Sequence, residues 1–412
     1  MTNSSFRLLP GRAQRCAAGL LLACAPLFSP AQEAAPTTLE PLPPAVSADA
    51  PELVGDLAPV PAPVLTAKAW ITLDMTSGQV IAAENADERV EPASLTKLMT
   101  AYLVFEALES KRLSLEQTVH VSEKAWKIEG SRMFIKPGSQ VTVDDLLQGV
   151  IVQSGNDATV ALAEAVAGSE SAFAALMNEE AARQGLKETH FTNASGLPDP
   201  AHVTSVRDLA VMAQNLIARF PQYMHYYKQK DYTYNNIKQN NRNRLLWTDE
   251  TVDGLKTGHT QSAGYCLVAT ALRDGRRVLT VLVGASSEAA RMENSLKLLN
   301  WSFQNFDTVK LYDADMSAVT ARVWQGEADT VELGTSQPIW VTVPRGQGQQ
   351  LTPVLRYTQP LLAPLQKGAQ VGDLTLSLNG VVLRTESLHA LADVPEAGFF
   401  GRLYDKVRLM FE

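Results

Sequence analysis

The stretch GLKTGHTQSAGYCLVATALRDGRRVLTVLVGA, residues 254–285, most constrains what this chain can fold into. It holds three strand-like runs, and the second and third are joined through RDGRR, a turn sequence that sends the chain back antiparallel to itself. The runs predict antiparallel strands at the centre of a sheet. Upstream, AWITLDMTSGQVIAAENAD (69–87) reads as two more strands around the turn TSG. From Ser94 to about Ile217 helical patterns dominate, among them 144–168 and 171–186, the latter closed by Gly185 as a C-cap. Residues 288–306 predict a last amphipathic helix. Hairpin, helices, strands and helix, in that order, imply an α+β (α/β sandwich) fold, an antiparallel sheet flanked by helices. Beyond it, short runs such as VTARVW, IWVTV and DLTLSLNGVVL, separated by Gly and Pro, predict a second, small all-β domain.

At 412 residues and 45% hydrophobic content, the chain can bury cores for two domains. Its start differs in kind. Arg7, Arg12 and Arg15 precede the apolar run CAAGLLLACAPLF, and SPA at 29–31 offers small residues at cleavage spacing, the pattern of a secretory signal peptide over 1–31. A lipoprotein reading built on LLAC, ending at Cys24, is the alternative. Ten of the 22 prolines fall between Pro26 and Pro63, so 32–66 reads as an extended Pro/Ala-rich linker. The expected units are then 67–306, an all-β domain over 307–394, and a terminal helix over 395–412.

Loss of 1–31 removes three arginines and no acids, making the formal charge of −8 more negative by three. An exported acidic protein is a poor partner for nucleic acid. Cys266 would be the lone cysteine of the mature chain, excluding an internal disulfide. The six histidines form no pair at metal-ligand spacing, so neither a metal nor another cofactor is expected.

Candidate chemistry begins at EPASLTKLMT (91–100). Ser94 and Lys97 stand three apart where a helix begins, on one face and within reach of each other. The same pair could be an ordinary helix start, with Ser as a cap and Pro near the first turn. Two further motifs follow in order: SGN (Ser154, Gly155, Asn156) between helical runs, and KTG (Lys256, Thr257, Gly258) on a strand. Three in order are far less probable by chance than one, and such a set belongs to penicillin-binding proteins and class A β-lactamases. Together, SLTKLMT, GSRMFIKPGSQVTV, QSGNDA, NRNRLLW, VDGLKTGHT and AGY resemble the low-molecular-weight D-alanyl-D-alanine carboxypeptidases, the penicillin-binding protein 5 type of serine peptidase family S11. The resemblance runs from about residue 64 to the C-terminus. It implies a β-lactamase/transpeptidase-like fold, a peptidoglycan stem pentapeptide as substrate, β-lactam antibiotics as covalent inhibitors, and a role in cell-wall maturation and cell shape.

A serine hydroxyl needs a base, and a lysine can serve only when uncharged. Burial and a nearby cation both lower a lysine's pKa, so Lys97 is the expected base and Lys256 the cation that tunes it. Ser154 could pass the proton to the leaving amine, while Asn156 could hold Lys97 or the substrate amide. Gly258 would let a substrate backbone lie along the strand, and Thr257 would offer a hydroxyl to its terminal carboxylate. The resemblance adds an oxyanion hole from the backbone N–H groups of Ser94 and His259, and an arginine, Arg242, near the carboxylate pocket.

A class A β-lactamase would also need a Glu-x-x-Leu-Asn segment after the second motif, and the chain has none. In FFGRLYDKVRLMF (399–411), a helical wheel collects Phe399, Phe400, Leu403, Tyr404, Val407, Met410 and Phe411 in one arc. Such a helix is too short and charged to span a bilayer but could lie in its interface, as the family's terminal anchor does, on the periplasmic face of the inner membrane. A helix packed on the all-β domain is the other reading. The competing functions are an endopeptidase or transpeptidase on cross-linked stem peptides, and an inactive wall-binding protein. Intact Ser94, Lys97, Ser154 and Lys256 argue against the latter.

Overall fold

A computed structural model describes Leu57 and residues 61–411. The expected signal segment 1–31 with Cys24, and most of the Pro-rich leader, lie outside the described residues. Ala69–Asp74 (β1) and Val80–Glu84 (β2) form the expected hairpin. Two short antiparallel pairs are not read from the sequence: Thr118–His120 (β3) with Gln140–Thr142 (β4), which interrupts the helical region, and the hairpin Asp231–Tyr234 (β5) with Ile237–Asn240 (β6), which follows it. Val252–Thr260 (β7), Gly264–Arg273 (β8) and Arg276–Ala285 (β9) complete the main sheet, ordered β2-β1-β9-β8-β7 with every pairing antiparallel. Between β8 and β9, Asp274 and Gly275 take φ of 50° and 80°, the two positive values a tight hairpin turn requires.

One expectation changes here. Of the three runs placed at the sheet centre, β7 lies at its edge, because the N-terminal hairpin pairs through β1 with β9 and takes the opposite flank.

The strand period sorts the layers. Along β9, Leu279, Val281 and Val283 join the core of the main helical layer, while Val278 and Leu282 face the other way, into clusters shared with the helix Glu288–Asn305 that follows β9. The helix Lys97–Glu109 has ten of its thirteen residues buried, so it runs through the helical layer with no solvent stripe. Other helices start where side chains accept orphan N–H groups: Ser169 from Ala172, Ser205 from Asp208 and Ser287 from Ala290. The expected helical run 144–168 is broken in the middle. Val143–Gln148 passes into a π-helical turn, Gly149–Gln153, and a new helix, Asn156–Ala167, begins after Ser154 and Gly155. The break falls on the SGN motif.

Contacts extend upstream of Ala67. Leu57 is buried, and Asn294 and Lys297 of the helix Glu288–Asn305 donate to the carbonyls of Thr66 and Val64.

The C-terminal strands form a six-stranded sheet and a separate pair, Phe306–Tyr312 with Ile339–Pro344. That pair shares one apolar cluster with the main sheet and the helix behind it: Trp70, Ile81 and Leu282 of the strands and Trp301 of the helix join Phe306, Ile339, Val341 and Val343. A polar joint lies beside it. Fully buried Asp74 accepts from Arg276 Nε and Thr308 Oγ1, both at 2.6 Å, and Ser77 meets Thr342 at the same distance.

The C-terminal helix, Phe399–Leu409, which follows the β domain, buries none of its residues. It is held by Asp405, which accepts from the Gln325 N–H at 2.6 Å, and by the Arg408 guanidinium near the Trp324 ring. Among the described residues no single helix is long and apolar enough to cross a membrane.

Candidate active site

Ser94 sits in a 3₁₀ turn, Ala93–Thr96, that leads directly into the helix beginning at Lys97. Ala93 takes φ of 47°, a left-handed conformation costing a residue with a side chain about 1–2 kcal/mol. The turn is held from three sides. Thr96 Oγ1 donates to the Ala93 carbonyl at 2.8 Å. Gly196, itself at φ 81°, lies so close that a Cβ there would fall 1.8 Å from the same carbonyl oxygen. On β7, a Cβ on Gly258 would meet the Pro92 carbonyl oxygen at 3.2 Å and Ala93 and Leu95 at 3.3 Å. The bare Cα of Gly258 thus makes room for the serine turn.

Lys97 is 1% exposed. Its Nζ donates to Ser94 Oγ at 3.1 Å, to Asn156 Oδ1 at 2.7 Å and to the Ser195 carbonyl at 2.7 Å. Burial, followed by the nearby Arg242 charge, lowers its pKa to about 7, while Asp157 opposes the shift. Both forms of the amine therefore exist near neutrality. Asn156 Oδ1 and the Ser195 carbonyl can only accept, whereas the Ser94 hydroxyl can also donate. When Nζ loses a proton, its lone pair can be satisfied among these three only by Ser94.

Asn156 is aimed by its other end, where Nδ2 donates to the Glu129 carbonyl at 2.6 Å, leaving Oδ1 for Lys97. Asp157 fixes the adjoining segment, its carboxylate accepting from the N–H groups of Met133, Phe134 and Ile135.

Ser154 ends the π-helical turn at φ 64°, ψ 35°. Lys256 of β7 donates to Ser154 Oγ and to the Thr257 carbonyl, each at 2.9 Å. Burial first, then the Lys97, Arg242 and Arg291 charges, push the Lys256 pKa well down. Arg242 is exposed and donates from Nε to the Gln153 carbonyl at 3.0 Å, so it stands at the same turn. Thr257 is buried, and His259 is exposed with its ring 4.1 Å from that of Tyr265. The fold thus brings Ser94, Lys97, Ser154, Asn156, Arg242 and Lys256 together, with Thr257, Gly258 and His259 on the adjoining strand edge.

Several contributors escaped the sequence reading. The Ser195 carbonyl is one, and Asn193 organises it by accepting from the N–H groups of Ser195, Gly196 and Leu197. The NASG sequence carries an Asx-turn signal that could have marked this loop. Asp157, Glu129, His202 and Arg291 carry no such local mark. Arg291 is buried and lies beside both the Arg242 backbone and the Tyr265 ring.

Comparison with known proteins agrees with this geometry. The signature of the D-alanyl-D-alanine carboxypeptidase family, peptidase S11, matches residues 58–287, and that of the penicillin-binding protein 5 C-terminal domain matches 306–396. The chain is 45% identical to the D-alanyl-D-alanine carboxypeptidase DacC of Escherichia coli K12, over 85% of this chain and 90% of that one. It is 35% identical to DacF of Bacillus subtilis, covering 81% and 87% respectively. Penicillin-binding protein 5 of Haemophilus influenzae superposes with a TM-score of 0.79 at 40% identity, covering 82% of this chain and all of the other. Penicillin-binding protein 6B of Escherichia coli gives 0.68 at 36%, covering 82% and 99%. With the sheet, the second β domain and the clustered motifs in agreement, the chain belongs to the D-alanyl-D-alanine carboxypeptidases of serine peptidase family S11.

Proposed function

We propose that this chain is a serine-type carboxypeptidase that removes the terminal D-alanine of peptidoglycan stem pentapeptides in cell-wall maturation, with consequences for cell shape, and that β-lactams acylate the same serine. The observation that carries the reading is the 3.1 Å approach of the buried Lys97 Nζ to Ser94 Oγ, with the lysine pKa lowered to about 7. Neutral Lys97 takes the hydroxyl proton as Oγ attacks the carbonyl between the two D-alanines. Backbone N–H groups of Ser94 and His259 meet the developing oxyanion. As the tetrahedral species collapses, the C–N bond breaks and Ser154, held by Lys256, passes its proton to the departing D-alanine amine and takes back the one that Lys97 removed from Ser94, which leaves Lys97 neutral again. Water then releases the acyl group and regenerates Ser94. Asn156 orients Lys97, while Thr257 and Arg242 read the terminal carboxylate and the edge strand at Gly258 receives the peptide backbone.

The working units are 67–306 for catalysis and 307–394 for the β domain, with 395–412 attaching the exported enzyme to the periplasmic face of the inner membrane. Support for attachment is the exposure of the apolar arc, Phe400 at 84% and Phe411 at 87%.

The test combines a fluorescent penicillin with adduct mapping. The expected adduct is on Ser94 and absent in Ser94→Ala; labelling elsewhere overturns the assignment. A pentapeptide whose terminal carboxylate is amidated should turn over far more slowly than the free acid, and equal turnover would point to an endopeptidase.

A further inference from the structure

His202 is 1% exposed, and the mechanism above leaves it unused. Its ring packs edge-on against Phe191 and joins two segments remote from each other in sequence. Nδ1 receives the Thr192 N–H at 3.0 Å, which makes it the unprotonated nitrogen. Nε2 therefore carries the hydrogen and donates to Thr96 Oγ1 at 2.8 Å. With that lone pair occupied, the Thr96 hydroxyl donates onward to the Ala93 carbonyl. The relay ends on the left-handed residue immediately before Ser94. On its other side the ring anchors Thr192, three residues before the Ser195 carbonyl that holds Lys97.

We infer that His202 is a positioning residue for acylation: through Thr96 it holds the Ala93–Ser94 turn, and through Thr192 it holds the loop whose carbonyl orients Lys97. The relay requires a neutral ring of one tautomer. Burial lowers the His202 pKa to about 4; the charges of Asp199, His190 and Lys97 act on it more weakly, and of these only Asp199 favours protonation. The tautomer is thus kept throughout the range in which Lys97 titrates. Thr100 ties the same two segments independently, its hydroxyl donating to the Ala194 carbonyl at 2.6 Å, so loss of the ring should shift the turn and the loop relative to each other without separating them.

This inference rests on acylation at Ser94. The test measures the acylation rate constant and the dissociation constant of the prior noncovalent complex with a fluorescent penicillin, by rapid mixing, for the full chain and for His202→Leu, His202→Gln, Thr96→Val and His202→Leu/Thr96→Val. Leu and Val remove the two links of the relay, and Gln keeps an N–H donor towards Thr96. Each single removal should slow acylation by about 100-fold, the scale of a 1 Å misplacement. The noncovalent affinity should stay within about twofold, the double variant should be no slower than the slower single, and Gln should recover most of the rate. The inference is overturned if Thr96→Val or folded His202→Leu acylates within about threefold of the parent. Losses that multiply in the double variant, or a Gln variant as slow as Leu, overturn it equally. Should His202→Leu not fold, Thr96→Val and His202→Gln decide alone. A parent chain that is not acylated at Ser94 refutes the proposed function instead.

Discussion

Lys97 Nζ and Asn156 Oδ1 meet at 2.7 Å across 59 residues of sequence, and the Glu129 carbonyl on the far side of the amide decides which end of Asn156 the lysine meets. The amide end that accepts is neutral. A carboxylate in that place would hold Lys97 protonated; an amide keeps the distance and the hydrogen bond without the charge.

Asn156→Asp should therefore raise the Lys97 pKa, since an anion in contact with a cation shifts it by about 1–3 units. The acylation rate at pH 7 should drop, and the rising limb of the pH–rate profile should move to alkaline pH by that amount. A profile unmoved from the parent's would show that this contact does not tune the base.

In the parent, Lys97 is active when neutral, so acylation should climb with pH through about 7 and level off above it. Below pH 7 the rate should fall about tenfold per unit. Lys97→Arg keeps a cation but cannot give it up, and should lose about 10²- to 10⁴-fold in acylation at every pH below 9. Stopped-flow acylation across pH 5–9 checks both.

The Asp74 joint should be structural and remote from chemistry. Asp74→Ala leaves Arg276 largely buried without its carboxylate, and such a broken pair costs about 3–5 kcal/mol. Chemical denaturation should show that loss, with acylation per folded molecule unchanged, because the joint lies behind the sheet from Ser94.

Glu396 bridges to Gly326, and the Ala397 N–H donates to the Gln325 carbonyl, so the β domain's contacts with the backbone run to Ala397. A chain ending at Gly398 should stay folded, label with penicillin at the parent rate and fail to co-sediment with vesicles. Binding of the full chain should depend weakly on salt, since Arg402, Lys406 and Arg408 are nearly balanced by Asp405 and Glu412. Loss of folding in the shortened chain would assign the helix to the β domain's core.

What local sequence could determine, it did. A three-residue step on a helix start places Ser94 under Lys97, Asp274-Gly275 permits the turn between β8 and β9, and a 100° period collects the apolar arc of the last helix. Each of these follows from backbone geometry within a few residues. The groups that hold the catalytic side chains in place lie elsewhere: Asn156 and the Ser195 carbonyl, which position Lys97, are 59 and 98 residues away, and Lys256 reaches Ser154 across 102. The edge position of β7, the serine turn packed against Gly258, the His202 relay and the Asp74 joint are of the same kind. Only packing decided them, because burial that shifts a pKa and a hydrogen bond that aims a side chain exist only once remote segments have converged and excluded water.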